Sequence, residues 1–273
     1  MTCIDEQPAI ELRDVGVKRS ERWIASNINW KVRAGTCAAI LGPNGSGKST
    51  LARVITGYIW PTCGDVFVAG QHFGEVDLNE LRRSIRLVQA AGPYDVDPEL
   101  TAQEVVLTGL FGTIGLFDPV TDADRKHADD LLTQVGLTKL RGARYSTFSN
   151  GERVRSLIAR SLIVRPKILL LDEPTAGLDL LAREQVLATI QALFTRGDSN
   201  VTVLLITHHV DELPPATSDV LLLSEGKVAA QGRPEDVLRS EVLSPVYNCR
   251  LHVDRHGDRY YVRVDPTVWS GLL

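Results

Sequence analysis

The sequence predicts an α/β fold in which a sheet is buried on both faces. Two continuous aliphatic runs, Ile168 to Leu171 and Val201 to Ile206, have the length of a strand and lack the alternation of a half-exposed one. Strand-like runs also alternate along the chain with helical segments and glycine-containing turns. At 273 residues, of which 44% are hydrophobic, the chain is long enough to bury the core that such a sheet requires.

The elements follow one another in a regular order. The strand-like runs are TCAAIL, DVFVAG, IRLVQA, KILLLDEP, VTVLLITH and VLLLSEGKVAAQG, and the last of these predicts a hairpin turning at Glu225-Gly226. Between about residues 93 and 161 the pattern is helical, in LTAQEVVLTGLFG, DADRKHADDLLTQVG and GERVRSLIARSLI, with no convincing strand. We therefore predict an inserted helical subdomain, and a short hairpin around His256-Gly257 in the tail.

Composition and charge argue against several classes of protein. The formal net charge of -4 argues against binding nucleic acid through bulk charge. No apolar stretch reaches the roughly 18 residues of a transmembrane helix, and MTCIDEQPAIELRD is too acidic and polar for a signal peptide, so a cytosolic chain is expected. The four cysteines are scattered without a C-x-x-C pair, which predicts neither a zinc site nor a disulfide framework.

A glycine-rich loop, LGPNGSGKST, lies between the strand TCAAIL and the helical segment STLARVITG. It matches the phosphate-binding pattern G-x-x-x-x-G-K-[ST], in which backbone N–H groups and a helix N-terminus bind phosphate oxygens. A tight structural turn seldom needs so many glycines, because each one costs conformational entropy. The sequence therefore predicts nucleotide binding by Gly42, Pro43, Asn44, Gly45, Ser46, Gly47, Lys48, Ser49 and Thr50.

Two further strand ends carry polar side chains suited to phosphate chemistry. Asp172 closes the aliphatic run of KILLLDEP, where a charge is costly unless it meets a cation, and Mg²⁺ held together with the Ser49 hydroxyl would supply one. Glu173 follows and is the candidate general base for an attacking water. The strand VTVLLITHH ends in two histidines whose side chains point to opposite faces, and His208 is the candidate donor to the γ-phosphate.

The block TFSNGERVRSLIARSLIVRPKILLLDEPTAGLDLLAR resembles the nucleotide-binding subunits of ATP-binding cassette (ABC) proteins. Their signature, Leu-Ser-Gly-Gly-Gln, is matched by residues 148–152, where Ser149 and Gly151 keep the family residue. Gln89 resembles the Q-loop glutamine, Asp179 the D-loop aspartate and His208 the H-loop histidine. The glycine-rich loop corresponds to the family's P-loop, and Asp172 and Glu173 correspond to its Walker B motif. The resemblance covers most of the chain, because the P-loop, Q-loop, signature, Walker B, D-loop and H-loop all occur in the family's order.

That resemblance implies an ABC-type ATPase with a RecA-like P-loop core, an N-terminal antiparallel β subdomain and a helical subdomain. The implied boundaries are 1–89 and 163–240 for the core, 90–162 for the helical subdomain and 241–273 for a C-terminal extension. ATP and Mg²⁺ are the implied cofactors, with Ser49, Gln89 and Asp172 at the metal. Lys48, Glu173 and His208 act in catalysis, and Gln89 also links the metal to the position of the helical lobe.

The resemblance also implies partners. Two cassettes, as a homodimer or a heterodimer, pair head to tail around two ATP molecules, so that Ser149, Gly151 and Asp179 act across the dimer. Since no membrane span is predicted, transport requires separate transmembrane subunits docked on the helical lobe, which places the chain at the inner face of the cell membrane. No nucleic-acid partner is expected.

Two departures from the family pattern bear on this interpretation. Asn150 replaces glycine and Glu152 replaces glutamine, which brings an extra acid near a phosphate. Residue chemistry alone predicts that Ser149 and Glu152 form a capping box that opens a helix, and in that case the cost of the acid is small. The aromatic residue that stacks on adenine in the family has no clear match. Arg19 is the candidate substitute, and Trp23 follows a few residues on.

Two other functions stay open at this stage. A soluble ABC ATPase acting on nucleic acid or a ribosome is the first, but such relatives carry two cassettes or a coiled-coil insertion that this chain lacks. A small-molecule kinase is the second, although it has no use for the signature block. The segments ITHHVDELPP and LRSEVLSPVY favour an importer-like cassette for metals, metal chelates or similar small solutes.

Overall fold

The structure is a computed structural model, and it describes residues 7–89, 96–195 and 200–264. Its strands are β1 (Ile10–Arg19), β2 (Arg22–Val32), β3 (Cys37–Leu41), β4 (Cys63–Val68), β5 (Gln71–His72), β6 (Ile85–Gln89), β7 (Ile168–Asp172), β8 (Thr202–Thr207), β9 (Thr217–Ser224), β10 (Lys227–Gly232), β11 (Leu251–His256) and β12 (Arg259–Val264). Its α-helices are α1 (Lys48–Ile55), α2 (Leu78–Ser84), α3 (Ala102–Phe111), α4 (Asp122–Gln134), α5 (Asn150–Leu162), α6 (Leu180–Thr195), α7 (Pro234–Val237) and α8 (Ser240–Val246).

The chain divides into two compact units. The first consists of the described residues up to Arg82 and from Thr202 onward, and the second runs from Arg83 to Val201. The helices predicted between residues 93 and 161 are present as α3, α4 and α5. The boundaries 90–162 of a separate helical subdomain stay a prediction.

The first unit contains the predicted antiparallel β subdomain, with strand order β2-β1-β4-β5. Its other large element is the strand set β10-β9-β3-β8, in which β3 lies between parallel β8 and β9. Every residue of β3 and β8 is buried, as the continuous aliphatic runs predict. Glu225 and Gly226 both have positive φ, 49° and 77°, and make the predicted β9–β10 hairpin turn.

The second unit pairs β6 with β7 in parallel, and all five residues of β7 are buried. Helix α5 packs against α3, α4 and α6. Each of α3, α4 and α5 begins with a capping box, in which a hydroxyl and an acidic side chain satisfy the first free N–H groups. The box at Ser149 and Glu152 is the one predicted from the sequence.

The predicted tail hairpin is also present, as β11 and β12, with Gly257 and Asp258 between the two strands. Among the described residues, no helix is both long and apolar enough to cross a membrane.

Candidate nucleotide-binding site

The glycine-rich loop forms a cradle between β3 and α1. Gly42, Gly45 and Gly47 have φ values of 152°, 80° and 102°, in the region that favours glycine. A Cβ added at Gly42 would lie 2.2 Å from the carbonyl oxygen of Leu223, and one at Gly47 would lie 2.8 Å from that of Ile24. The backbone is therefore pressed against its neighbours and cannot accept side chains at these two positions.

Lys48 is buried at the first position of α1, with 5% of its surface exposed. Its ammonium group donates hydrogen bonds to the carbonyls of Gly42, at 2.9 Å, and Pro43, at 3.0 Å. A buried cation requires polar partners, and the loop's own carbonyls supply them here. Ser49, the next residue, is exposed, and Thr50 is half-buried. The hydroxyl of Ser46 is buried with no hydrogen-bond partner among the described residues.

A cleft of about 760 Å³ adjoins this loop within the first unit. It is lined by Pro43 to Ser46, by the hairpin turn at Glu225, and by Trp23 and Tyr247. The indole of Trp23 is 47% exposed and lies over Gly16, where an added Cβ would be 2.8 Å from the ring. Trp23, one of the two residues considered for stacking on adenine, therefore places an aromatic side chain in the cleft beside the glycine-rich loop.

In the second unit, two of the predicted metal ligands, Gln89 and Asp172, are hydrogen-bonded to each other. Gln89 ends β6 and Asp172 ends β7, and the two residues are register partners. The amide nitrogen of Gln89 donates to Oδ2 of Asp172 at 3.0 Å. Asp172 is buried, with 9% of its surface exposed. The carboxylate of Asp172 and the amide oxygen of Gln89 are therefore close together, and oxygen atoms are the ligands that magnesium prefers.

Glu173 follows Asp172 in an unusual backbone conformation. Its φ is +49°, in the left-handed region that a residue with a side chain rarely adopts, and it is half-buried. Such conformations cost of the order of 1–3 kcal/mol and cluster at active sites. The carbonyl of Glu173 then accepts from the N–H of Ala176 at 3.2 Å, so the chain turns immediately after the strand.

The signature residues lie at the start of α5. The Ser149 hydroxyl donates to the Glu152 carboxylate at 2.7 Å, and the Ser149 N–H donates to the same oxygen at 2.8 Å. Glu152 is therefore folded back onto its own helix cap. A Cβ added at Gly151 would lie 2.7 Å from the Cβ of Ala182, so glycine allows α5 and α6 to approach. Asp179 is exposed and caps α6, accepting from the N–H of Ala182 at 2.8 Å.

The H-loop, defined here as residues 207–212, belongs to the first unit. Thr207 donates its hydroxyl to the buried carboxylate of Glu212 and accepts from the His209 N–H at 3.0 Å. His208 is half-buried and His209 is exposed, and their ring centroids are 4.0 Å apart. The expectation that the two side chains point to opposite faces is therefore wrong, because β8 ends at Thr207 and the alternation of a strand does not extend to them. The carbonyl of His208 accepts a hydrogen bond from the hydroxyl of Tyr247 at 3.1 Å.

A family model described as ABC transporter matches residues 25–176, a range that includes the glycine-rich loop, Gln89, the signature residues, Asp172 and Glu173. The chain belongs to the ABC transporter family. An ABC transporter ATP-binding protein of Bacillus subtilis (strain 168), YlmA, is 37% identical over 259 residues, which is 94% of this chain and 98% of that protein.

Solved ABC structures agree with this assignment. The structure of cbiO1 from Clostridium perfringens, part of the ABC transporter complex cbiONQ, has a TM-score of 0.76 at 28% identity and covers 89% of this chain and 95% of its own. A dimeric ATP-binding cassette in a post-hydrolysis state, bound to ADP and Pi, has a TM-score of 0.66 at 26% identity, covering 82% and 98%.

The chain is thus the ATP-binding and ATP-hydrolysing subunit of an ABC transporter, with the RecA-like cassette fold that the sequence predicts. None of these findings supports the alternative of a nucleic-acid or ribosome-related ABC ATPase. The residues that sequence reasoning missed are Tyr247 and Arg259 of the C-terminal extension, which contact the H-loop. No local pattern marks them, since they are 39 and 48 residues from their partners.

Proposed function

We propose that this ABC subunit binds Mg-ATP at the glycine-rich loop and hydrolyses it with a water activated by Glu173. Lys48 and the loop amides bind the β- and γ-phosphates, and His208 donates to the γ-phosphate. The observation that carries this proposal is the burial of Lys48 within the glycine-rich loop. Its buried ammonium group lies inside a backbone cradle at the start of α1, where a phosphate oxygen could accept hydrogen bonds from it and from the loop N–H groups.

The side chains present fit a magnesium ion. Among the described residues no group of three or more His, Cys, Asp and Glu side chains is arranged to hold a metal. Magnesium sites at nucleotides do not need one, because the ion is bound through one or two protein ligands together with phosphate oxygens and water. In this proposal Asp172 would supply a carboxylate, Ser49 a hydroxyl and Gln89 an amide oxygen to the ion. When bound, the ion neutralises charge on the phosphates.

Glu173 is proposed as the general base because of its position and backbone. It follows Asp172 directly, so it leaves the same strand end, and its left-handed φ of 49° turns the chain there. A half-buried carboxylate next to a phosphate site can accept a proton from water in the transition state. Backbone strain at this position is consistent with a functional constraint on the residue.

ATP binding is proposed to join two copies of this chain head to tail. One chain carries both a P-loop and a signature helix, so two copies complete two identical sites without any other protein. Ser149 and Gly151 at the N-terminus of α5 face the γ-phosphate on the partner, where the helix dipole favours an anion. Asp179, at the exposed start of α6, lies next to the signature helix through Ala182 and contributes to the same interface.

Glu152→Gln is expected to strengthen this ATP-dependent dimer. Glutamine can make the same capping bond to Ser149, so α5 keeps its N-terminus, but one negative charge is removed from the helix end proposed to face phosphate. In a hydrolysis-deficient Glu173→Gln background, the ATP concentration for half-maximal dimerisation should fall by at least about threefold. Size-exclusion chromatography over an ATP series measures it.

The matched control is Glu104→Gln. Glu104 forms the same capping box with Thr101 at the start of α3, so the change removes a charge and keeps a cap without touching the signature. Dimerisation of the control should equal that of the background. An ATP requirement that is unchanged in Glu152→Gln, or lowered equally in both variants, contradicts the placement of α5 at the interface.

We further propose that the second unit docks onto separate transmembrane subunits, which places the chain at the inner face of the cell membrane. Three apolar side chains are exposed at and after the end of α3. They are Phe111, Ile114 and Phe117, which are 40%, 55% and 78% exposed. Clustered exposed apolar side chains are typical of interaction sites, and aromatic residues often dominate their binding energy.

Phe117→Ser is expected to weaken binding to the membrane subunits encoded beside this chain by at least about tenfold. ATP hydrolysis by the isolated chain should not change, because Phe117 lies outside the proposed nucleotide site. Binding to the purified membrane subunits in detergent measures the effect. Tyr58→Ser, at an exposed aromatic residue of the first unit, is the control and should bind normally. Equal binding by both variants contradicts the proposed docking surface.

A further inference from the structure

The C-terminal segment, defined here as residues 240–264, packs against the H-loop. Two of its side chains donate hydrogen bonds to backbone carbonyls of that loop. The hydroxyl of Tyr247 donates to the carbonyl of His208 at 3.1 Å, and Nη2 of Arg259 donates to that of Asp211 at 2.7 Å. The segment therefore contacts the loop at the histidine itself and again three residues later.

The H-loop also has contacts of its own. Thr207 binds Glu212 and the N–H of His209, which ties the two ends of the loop to each other. The carbonyls of His208 and Asp211 are bound from outside, by residues of α8, β12 and the turns next to them. The bond to the His208 carbonyl restrains the peptide plane next to that residue, and with it the backbone position from which the imidazole extends.

Tyr247 can donate this hydrogen bond to the His208 carbonyl over a wide pH range. Burial raises the pKa of its hydroxyl to about 12, so the group stays protonated and remains a donor at ordinary assay pH. The same stretch, Val246 to Asn248, lines the cleft beside Pro43 to Ser46 of the P-loop. The C-terminal segment thus reaches the nucleotide side of the first unit as well as the H-loop.

We propose that Tyr247 and Arg259 are positioning residues that hold the H-loop so that His208 can act on ATP. This proposal rests on the proposed role of His208 at the γ-phosphate. It gives the C-terminal segment a function in hydrolysis within its own chain. The segment acts through the backbone of the loop and touches neither the phosphates nor the attacking water.

Steady-state ATP hydrolysis by Tyr247→Phe and Arg259→Gln in the full chain tests it. Tyr247→Phe removes the hydrogen bond to the His208 carbonyl, and Arg259→Gln removes the bond to the Asp211 carbonyl. In each variant kcat should fall about three- to tenfold while KM for ATP changes by less than about twofold. Arg259→Lys keeps a cationic donor and should restore much of the rate. A Tyr247→Phe variant with the wild-type kcat overturns the proposal.

Two changes in the same hairpin serve as controls. Tyr260→Phe removes a hydroxyl from a buried tyrosine of β12, and Arg263→Gln breaks a surface pair with Asp254. Both should keep kcat within about twofold of wild type, since neither residue holds the H-loop. An equal loss of kcat in the controls means that any disturbance of the hairpin matters, which contradicts a specific role for Tyr247 and Arg259.

A double variant separates this proposal from the role of His208. His208→Ala should lower single-turnover hydrolysis strongly, and adding Tyr247→Phe should lower it no further, because a residue that acts through His208 has no effect without it. A further loss in the double variant overturns the positioning role. A wild-type rate in His208→Ala overturns the proposed role of His208, whatever Tyr247→Phe does.

Discussion

Glu173→Gln is expected to lower ATP hydrolysis by about 10²- to 10³-fold while ATP binding is retained. Glutamine has the shape of glutamate but accepts no proton from water at neutral pH. The backbone at this position, with φ of 49°, has to be adopted by either residue, so the fold should be preserved. Phosphate release over time measures the rate, and equilibrium binding of a fluorescent ATP analogue measures the affinity.

Glu21→Gln is the control for the Glu173→Gln experiment. Glu21 also has a positive φ, 64°, and is exposed at the tip of the β1–β2 hairpin, so it tests the same chemical change in a similar backbone conformation. Its hydrolysis rate should equal that of wild type. If Glu173→Gln hydrolyses ATP at the wild-type rate, Glu173 is not the general base and another group activates the water.

Lys48→Ala should abolish measurable ATP binding, with an affinity at least about 100-fold below wild type. The variant removes the buried cation whose ammonium group is held by the Gly42 and Pro43 carbonyls and which is proposed to bind the β- and γ-phosphates. The loop carbonyls lose a partner, so a small decrease in melting temperature is also expected. The same fluorescent binding assay and a thermal melt measure the two effects.

Arg53→Ala is the matched control for Lys48→Ala. Arg53 is an exposed basic residue in the last turn of the same helix, α1, so the change removes a positive charge from the helix but not from the cradle. Its ATP affinity should remain within about threefold of wild type. An affinity of Lys48→Ala within that range contradicts the proposed phosphate site.

Features set by local sequence were predictable. The aliphatic strands β3, β7 and β8 are buried at every position, as their composition requires. The capping box of Ser149 and Glu152 depends on two residues three positions apart, and it formed as expected. The glycine-rich loop is similarly local, because its length and glycine positions determine the cradle.

Features that depend on residues distant in the sequence were harder to predict. The resemblance to ABC subunits implied that Gln89 and Asp172 share a metal, but their direct hydrogen bond joins residues 83 positions apart. The contacts of Tyr247 and Arg259 with the H-loop have no sequence signal, since any hydroxyl or guanidinium can donate to a carbonyl that the fold brings near. The site-residue roles stay predictions, to be tested by the variants above.

The transported solute also stays a prediction. The preference for metals, metal chelates or similar small solutes came from short segments near His208 and in the tail. In the proposed assembly the solute is bound by the transmembrane subunits, so variants of this chain would report on ATP hydrolysis and docking but not on solute choice.

The mass and nucleotide content of Glu173→Gln, measured in Mg-ATP by size-exclusion chromatography with light scattering, test the central claim most directly. The account predicts that ATP doubles the mass, that the dimer holds one ATP per chain, and that adding Lys48→Ala abolishes both. A monomer that holds ATP, or a dimer that forms equally without it, would contradict the proposal that two copies of this chain close around two ATP molecules.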